Sequence, residues 1–259
     1  MSILIYDSGV GGISVLSEAV KLLDKAKFIY FADTLNMPYG SKGDRELYII
    51  AEKNLLYLIE KYSVDIVVIA CNTLTAAAVT QLRYRFSDVE FIGIEPANKV
   101  AARDFERGLI YVLARVSTVK SGRISERFAQ YSQRLRLIAM DKLAELIEAR
   151  VASSKLIEYL QNQSLCIRSG DDIISQNKPY PIVLGCTHYS LIKEEISKVF
   201  KGAVIYDGNK GTAKRICVVA KERKCDENKE FGVVVVTSCG KNEEIQKINE
   251  LFDSYSCKN

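Results

Sequence analysis

Nine short runs rich in β-branched and aromatic residues, at positions 3–6, 28–31, 66–70, 91–94, 109–113, 135–139, 182–184, 204–206 and 233–237, alternate with helical stretches along the whole chain. Runs this short and apolar suit strands buried on both faces, and parallel strands need helical crossovers between them. The expected fold class is therefore α/β, each sheet largely parallel and flanked by helices. Between positions 45 and 62, Leu47, Ile50, Ala51, Leu55 and Leu58 fall on one helical face, which suits covering such a sheet. Parallel sheets place their sites at the carboxyl ends of the strands, so the residues just after each run matter most.

A chain of 259 residues, 48% of them hydrophobic, fits one large domain or two smaller ones sharing a cleft. No Pro/Gly/Ser-rich linker marks a boundary. Glu95-Pro96 and Asp207-Gly208 each follow a strand, and the expected crossings lie there: residues 1–95 with 208–259 form one α/β domain, and 96–207 the second. An internal echo points to two related halves. Ile66-Val67-Val68-Ile69-Ala70-Cys71-Asn72-Thr73 and Pro181-Ile182-Val183-Leu184-Gly185-Cys186-Thr187-His188 each read as strand, small residue, cysteine, polar pair, then helix.

Composition removes several function classes. The net charge of +4 and pI near 8.5 are mild, so neither nucleic acid nor a membrane is demanded as a partner. Met1 leads straight into Ile3-Leu4-Ile5-Tyr6 with no basic leader, and no apolar stretch approaches the roughly 20 residues of a membrane span, so a cytoplasmic protein is expected. Seven cysteines without a Cys-x-x-Cys pair suggest neither a disulfide framework nor a zinc site. His188 is the only histidine, which rules out a tri-histidine metal centre. No metal is expected.

Cysteine at a strand-to-helix junction is a usable acid or base, because the helix N-terminus favours its thiolate and the thiol titrates near about 8.5. Cys71 and Cys186 both occupy that address, followed by the donors Asn72, Thr73 and Thr187, which with adjoining N–H groups can hold a carboxylate. Cys239 also follows a strand but lacks such a pair, and with Cys166, Cys217, Cys225 and Cys257 it reads as a small hydrophobe. Asp7-Ser8-Gly9-Val10-Gly11-Gly12 ends the first strand, where Asp7 can accept from a neighbouring thiol; as plain structure it is a turn whose Asp7 and Ser8 cap the next helix. Neither a dinucleotide fingerprint nor a P-loop is present. Pro38-Tyr39-Gly40-Ser41 is a turn signal with Tyr39 read as an exposed-loop residue, His188 can polarise Cys186, and Glu148 on its own reads as a solvated helix acid.

DSGVGG at 7–12, FADTLNMPYGSK at 31–42, ACNT at 70–73, GIEPA at 93–97 and LGCTHY at 184–189 together resemble the glutamate racemases of the aspartate/glutamate racemase superfamily, over nearly the whole chain. The resemblance implies two pseudo-symmetric domains with the active site in the cleft between them. It implies a cofactor-independent enzyme, without pyridoxal phosphate or metal, that makes D-glutamate for peptidoglycan. Cys71 and Cys186 fall on its two catalytic cysteines, Cys71 serving the D and Cys186 the L enantiomer. Asp7, Ser8, Tyr39, Gly40, Asn72, Thr73, Thr187 and His188 fall on positions that bind or polarise substrate, Asp7 and His188 supporting the proton transfers. Glu148, Thr118 and Ser121 match auxiliary positions. The chain departs from the family pattern at Ala114-Arg115, Ile124 and Ser190. Glutamate is the implied small-molecule partner, and a homodimer is expected because the family often forms one.

Three other readings share these residues, the first being a racemase of the same superfamily acting on another amino acid. A Cys/His thiol hydrolase or amidotransferase would use Cys186 or Cys71 as nucleophile and His188 as base, leaving one cysteine idle. A non-catalytic binding protein would use the basic stretch from 99 to 136, which reads as a solvated face or as a site for an anionic effector.

Overall fold

The computed structural model describes residues 1–120, 122–168, 179–223 and 231–258, and the chain divides into two compact units, Met1–Glu95 with Gly208–Asn259, and Pro96–Asp207. In the first unit the elements run β1 (Ser2–Asp7), α1 (Ile13–Val20), β2 (Lys27–Ala32), α2 (Asp44–Tyr62), β3 (Ile66–Ile69), α3 (Asn72–Arg85) and β4 (Glu90–Gly93). The second unit comprises α4 (Asn98–Asp104), β5 (Ile110–Ala114), α5 (Val116–Lys120), α6 (Arg123–Arg127), β6 (Leu135–Ala139), α7 (Leu143–Glu148), α8 (Ser153–Arg168), β7 (Tyr180–Leu184), α9 (Thr187–Ser190), α10 (Lys193–Val199) and β8 (Ala203–Tyr206). The chain then re-enters the first unit through α11 (Asn209–Glu222), β9 (Gly232–Thr237) and α12 (Asn242–Lys258). Each of the nine apolar runs is a strand.

The first unit holds a five-stranded parallel sheet in the order β4-β3-β1-β2-β9. Successive strand residues point to opposite faces, and both faces are dry. Leu4, Tyr6, Ile29, Phe31, Val67 and Ile69 pack under α2 and α3, joined by Leu47, Ala51, Leu55 and Leu58 of α2. Ile3, Ile5, Phe28, Ile66 and Val68 are buried on the other face, where α1 packs with α11 and α12. Burying one such side chain stabilises the fold by about 1.5–3 kcal/mol, so the apolar runs leave little choice of architecture. Helix α2 carries Asp44 and Glu46 in its first turn and Lys61 in its last, in the favourable sense for the helix dipole, and ends at Ser63 in the left-handed conformation (φ 48°).

The second unit holds a four-stranded parallel sheet, β6-β5-β7-β8. Tyr111, Leu113, Ile182 and Leu184 pack with α7, α8, α9 and α10 on one face. Ile110, Val112, Ala114 and Val183 pack with α4 and α6 on the other, and Ile124 is buried in that second core beside Phe128. The family departure at position 124 is therefore a packing residue. No described helix is long and apolar enough to cross a membrane.

Candidate active site

The turn after β1 is built around glycine. A Cβ on Gly12 would stand 2.8 Å from Asp7 Cβ and 3.0 Å from Ala70 Cβ, so only glycine lets the start of α1 lie this close to the strand ends. Asp7 is fully buried and its Oδ1 accepts the Gly9 N–H at 2.8 Å, while the Tyr30 hydroxyl donates to the Gly9 carbonyl at 2.6 Å. The N-cap of α1 is Gly12, with no side-chain cap, so Asp7 and Ser8 do not cap it. Their polar atoms stay with the strand ends.

Cys71 caps α3 in an extended conformation (φ −87°, ψ 117°), two residues past the end of β3, and is buried. Because β1 and β3 are paired neighbours with Tyr6 opposite Ile69, Ser8 falls level with Cys71. The Cys71 thiol donates to Ser8 Oγ at 3.7 Å. Asn72 and Thr73 follow, half-buried, and Asn72 Oδ1 is enclosed without a hydrogen-bond partner among the described residues. The first N–H groups of α3 have no partners within the helix. This corner thus combines a buried thiol, a buried carboxylate, a hydroxyl and the N–H groups that open α3.

Cys186 stands at the equivalent place in the second unit, two residues past β7, capping the four-residue α9 (φ −144°, ψ 135°). So short a helix has no stability of its own and is held by packing, above all by the fully buried Tyr189. Cys186 Sγ lies 3.6 Å from His188 Nδ1, and His188 Nε2 lies 2.5 Å from Glu148 Oε1 on α7. All three are largely shielded: Cys186 is 6% exposed, the His188 side chain 3% and the Glu148 side chain 15%. Burial alone pulls the imidazole down, but the Cys186 sulfur and the Glu148 carboxylate outweigh it and hold His188 well above the ordinary histidine range. Glu148 is thus no solvated helix acid. Thr187 is buried beside the sulfur, and Ser190 Oγ donates to Asp207 Oδ2 at 3.3 Å, fixing the far end of α9.

Other sequence-selected residues land differently. Tyr39 is buried: its hydroxyl donates to Asp33 Oδ2 at 2.6 Å and lies 2.9 Å from the Tyr6 hydroxyl, to which Asn54 also donates. The exposed-loop reading of Tyr39 is therefore corrected, since burial draws the phenol into an apolar core where Asp33 satisfies it, and the same burial drives both tyrosines far above the usual phenol range. Gly40 beside it is half-buried. Thr118 is half-buried on α5, and the neighbouring Ser117, which the sequence did not single out, has an enclosed Oγ without a hydrogen-bond partner among the described residues. Ser121 and Cys225 lie outside the described residues, as do the side chains of Cys166 and Cys257. Cys239, in the turn after β9, donates to Glu244 Oε2 on α12 at 2.8 Å, and Cys217 is half-buried on α11.

Several cations of the basic stretch are engaged locally. Arg103 pairs with Asp104, Arg115 with Glu145, and Arg134 and Arg136 donate to backbone carbonyls. A pocket of about 570 Å³ lined by Ser2, Lys27, Lys61, Tyr62, Ser63, Phe231 and Gly232 sits at the amino-terminal strand ends, away from Asp7 and Cys71. Among the described residues no cluster of three or more His, Cys, Asp or Glu is arranged to hold a metal ion.

Comparison with known proteins identifies the family. A glutamate racemase of Clostridium novyi (strain NT) is 37% identical over 261 residues, covering 96% of each chain. A glutamate racemase of Clostridium acetobutylicum is 39% identical over 226 residues, 86% of this chain and 83% of the relative. Among solved structures, Escherichia coli glutamate racemase in complex with L-glutamate and the activator UDP-MurNAc-ala superposes with a TM-score of 0.84 at 26% identity, over 97% of this chain and 94% of that one. A sequence model of Asp/Glu/Hydantoin racemase matches residues 13–216. With that span and those relatives, the chain belongs to the Asp/Glu/hydantoin racemase family of isomerases.

Proposed function

We propose that this protein interconverts L- and D-glutamate, supplying D-glutamate for peptidoglycan, with Cys71 and Cys186 as the two acid–base groups and no cofactor. The observation that carries the reading is the repeated placement of a buried cysteine just past a central parallel strand, each with its own polar partner. The choice of glutamate draws on the relatives, which are glutamate racemases along nearly their full length.

The α-proton of an amino acid is very weakly acidic, so removing it requires stabilising charge that flows into the α-carboxylate. Asn72, Thr73, Thr187 and the N–H groups at the start of α3 are the donors for this task. The enclosed, unpartnered Asn72 Oδ1 supports a polar ligand there, because a buried polar atom left unpaired costs about 1–3 kcal/mol. In the L-to-D direction the Cys186 thiolate takes the α-proton. The Cys71 thiol then gives its own proton to the opposite face of the planar carbanion. The sulfurs end with their protonation exchanged, and solvent or a reverse turnover restores them. Glu148 anchors an imidazolium beside the Cys186 thiolate, while Ser8, with Asp7 at the same strand end, accepts a hydrogen bond from the Cys71 thiol until that proton is delivered to the carbanion. Ser8, Gly40 and the backbone of Tyr39, with Thr118 as an auxiliary, complete the proposed substrate contacts.

The Cys186, His188 and Glu148 chain also has the order nucleophile, base, orienting carboxylate, which favours a thiol hydrolase as the second reading. Purified protein given L-glutamate without added cofactor should form D-glutamate, detected by chiral chromatography, and should release no ammonia from glutamine. Ammonia release without racemisation would replace the first reading with the second. Inactivity toward both would leave a binding protein on this scaffold.

A further inference from the structure

We infer that Arg115 is a positioning residue for the Cys186 half-site, pinning α7 to the end of β5 so that Glu148 reaches His188. Strands β5 and β7 are paired with Leu113 opposite Leu184, so two residues further on Arg115 falls level with Cys186. The Arg115 side chain is 16% exposed and pairs through Nη2 with Oε1 of Glu145 on α7, the Glu145 side chain being 47% exposed. Glu145 and Glu148 are three residues apart on that helix, hence on one face. Helix α7 has only six residues, starts after Lys142 in the left-handed conformation (φ 62°) and is followed by Arg150 in the same region (φ 50°). A helix of this length does not hold itself: its apolar side is held by Leu143, Ala144 and Ile147, and its polar side by Glu148 on His188 and by Glu145 on Arg115 at the strand end that flanks the cysteine. The departure from the family pattern at position 115 thus takes on a structural task.

Charged and titratable groups around α7 and α9 include Cys186, Glu148, Glu145, Arg115, Asp141, Tyr159, Tyr189, Asp207 and Lys193. Because His188 is the only histidine in the chain, its titration is readable by NMR without assignment. The sign of the change separates two roles. Arg115→Gln removes a positive charge, which by itself would raise the His188 value; loss of the Glu148 contact would lower it. Positioning predicts a fall on the order of one pH unit in Arg115→Gln, substantial recovery in Arg115→Lys, and a fall in the charge-neutral double variant Arg115→Gln/Glu145→Gln. The kinetic arm rests on the racemase reading: kcat for glutamate should drop about tenfold with KM little changed. An unchanged or raised His188 value in Arg115→Gln and the double variant would overturn the inference. If Arg115→Gln does not fold, Glu145→Asp, which keeps the charge and shortens the reach to Arg115, decides it: a lowered His188 value supports positioning and an unchanged or raised one overturns it. A lowered titration in a protein that does not racemise glutamate would leave the positioning role standing and remove only the substrate assignment.

Discussion

Cys71 follows β3 and opens a helix of 14 residues, whereas Cys186 follows β7 and opens one of four. The first sulfur faces a serine hydroxyl at 3.7 Å with a buried aspartate at the adjoining strand end; the second faces an imidazole at 3.6 Å that is itself held by a carboxylate at 2.5 Å. The two sheets therefore repeat the placement of the thiol and not its proton chemistry. A parallel strand followed by a helix fixes where the sulfur sits, while residues distant in sequence decide how readily it gives or takes a proton. Under the proposed mechanism the Cys186 side can keep a proton close at hand on His188, and the Cys71 side relies on groups that stay with β1.

The largest effect expected from breaking this pairing comes from the sulfurs. Cys71→Ser and Cys186→Ser should each lower racemisation by about 10²–10⁴-fold in both directions, since each direction needs both groups. Unequal partners should then separate: His188→Asn should lower kcat by up to about 10²-fold and displace one limb of the pH–rate profile, whereas Ser8→Ala should have the smaller effect and leave that limb in place. Equal responses would show that the difference in surroundings is chemically idle.

The residue preceding each cysteine sharpens the contrast on the side of stability. It is Ala70 in one half and Gly185 in the other, where an added Cβ would meet the Leu113 carbonyl at 3.0 Å and Ala114 Cβ at 3.2 Å. Gly185→Ala should cost about 1–3 kcal/mol in denaturant unfolding, and Ala70→Gly about 1 kcal/mol or less. The smallest expected effect is pH-linked. The folded protein binds the His188 proton more tightly than the unfolded chain, so this contribution to stability is complete below about pH 6.5 and is lost as pH rises through the folded value. Unfolding midpoints compared across that window should converge for wild type and His188→Asn at the alkaline end.

Much of this architecture is legible in the sequence because strands buried on both faces must be apolar throughout, as in residues 66–69 and 182–184. Helix α2 is equally plain, its buried Leu47, Ala51, Leu55 and Leu58 repeating at helical spacing. Strand β7 begins two residues before the apolar run, at Tyr180, because Pro181 is tolerated near a strand start even though it cannot donate to the ladder. The cysteine junctions are local patterns of a few residues and show themselves. Glu148 does not, since it lies 40 residues from His188 and only the fold of α7 against α9 brings them together. Tyr39 misleads for the converse reason: a turn sequence suggests exposure, while Asp33 and Tyr6, six and 33 residues away, draw the ring inside. Ser117 carries no signal beyond following a strand.

Whether separate sulfurs remove and return the α-proton is most directly read from the first turnovers of L-glutamate in deuterium oxide. If two monoprotic thiols share the work, the earliest D-glutamate carries deuterium at the α-carbon while the remaining L-glutamate keeps its protium. Early D-glutamate that retains the original α-proton would mean that one group carries it to both faces, and the paired-cysteine account would be wrong.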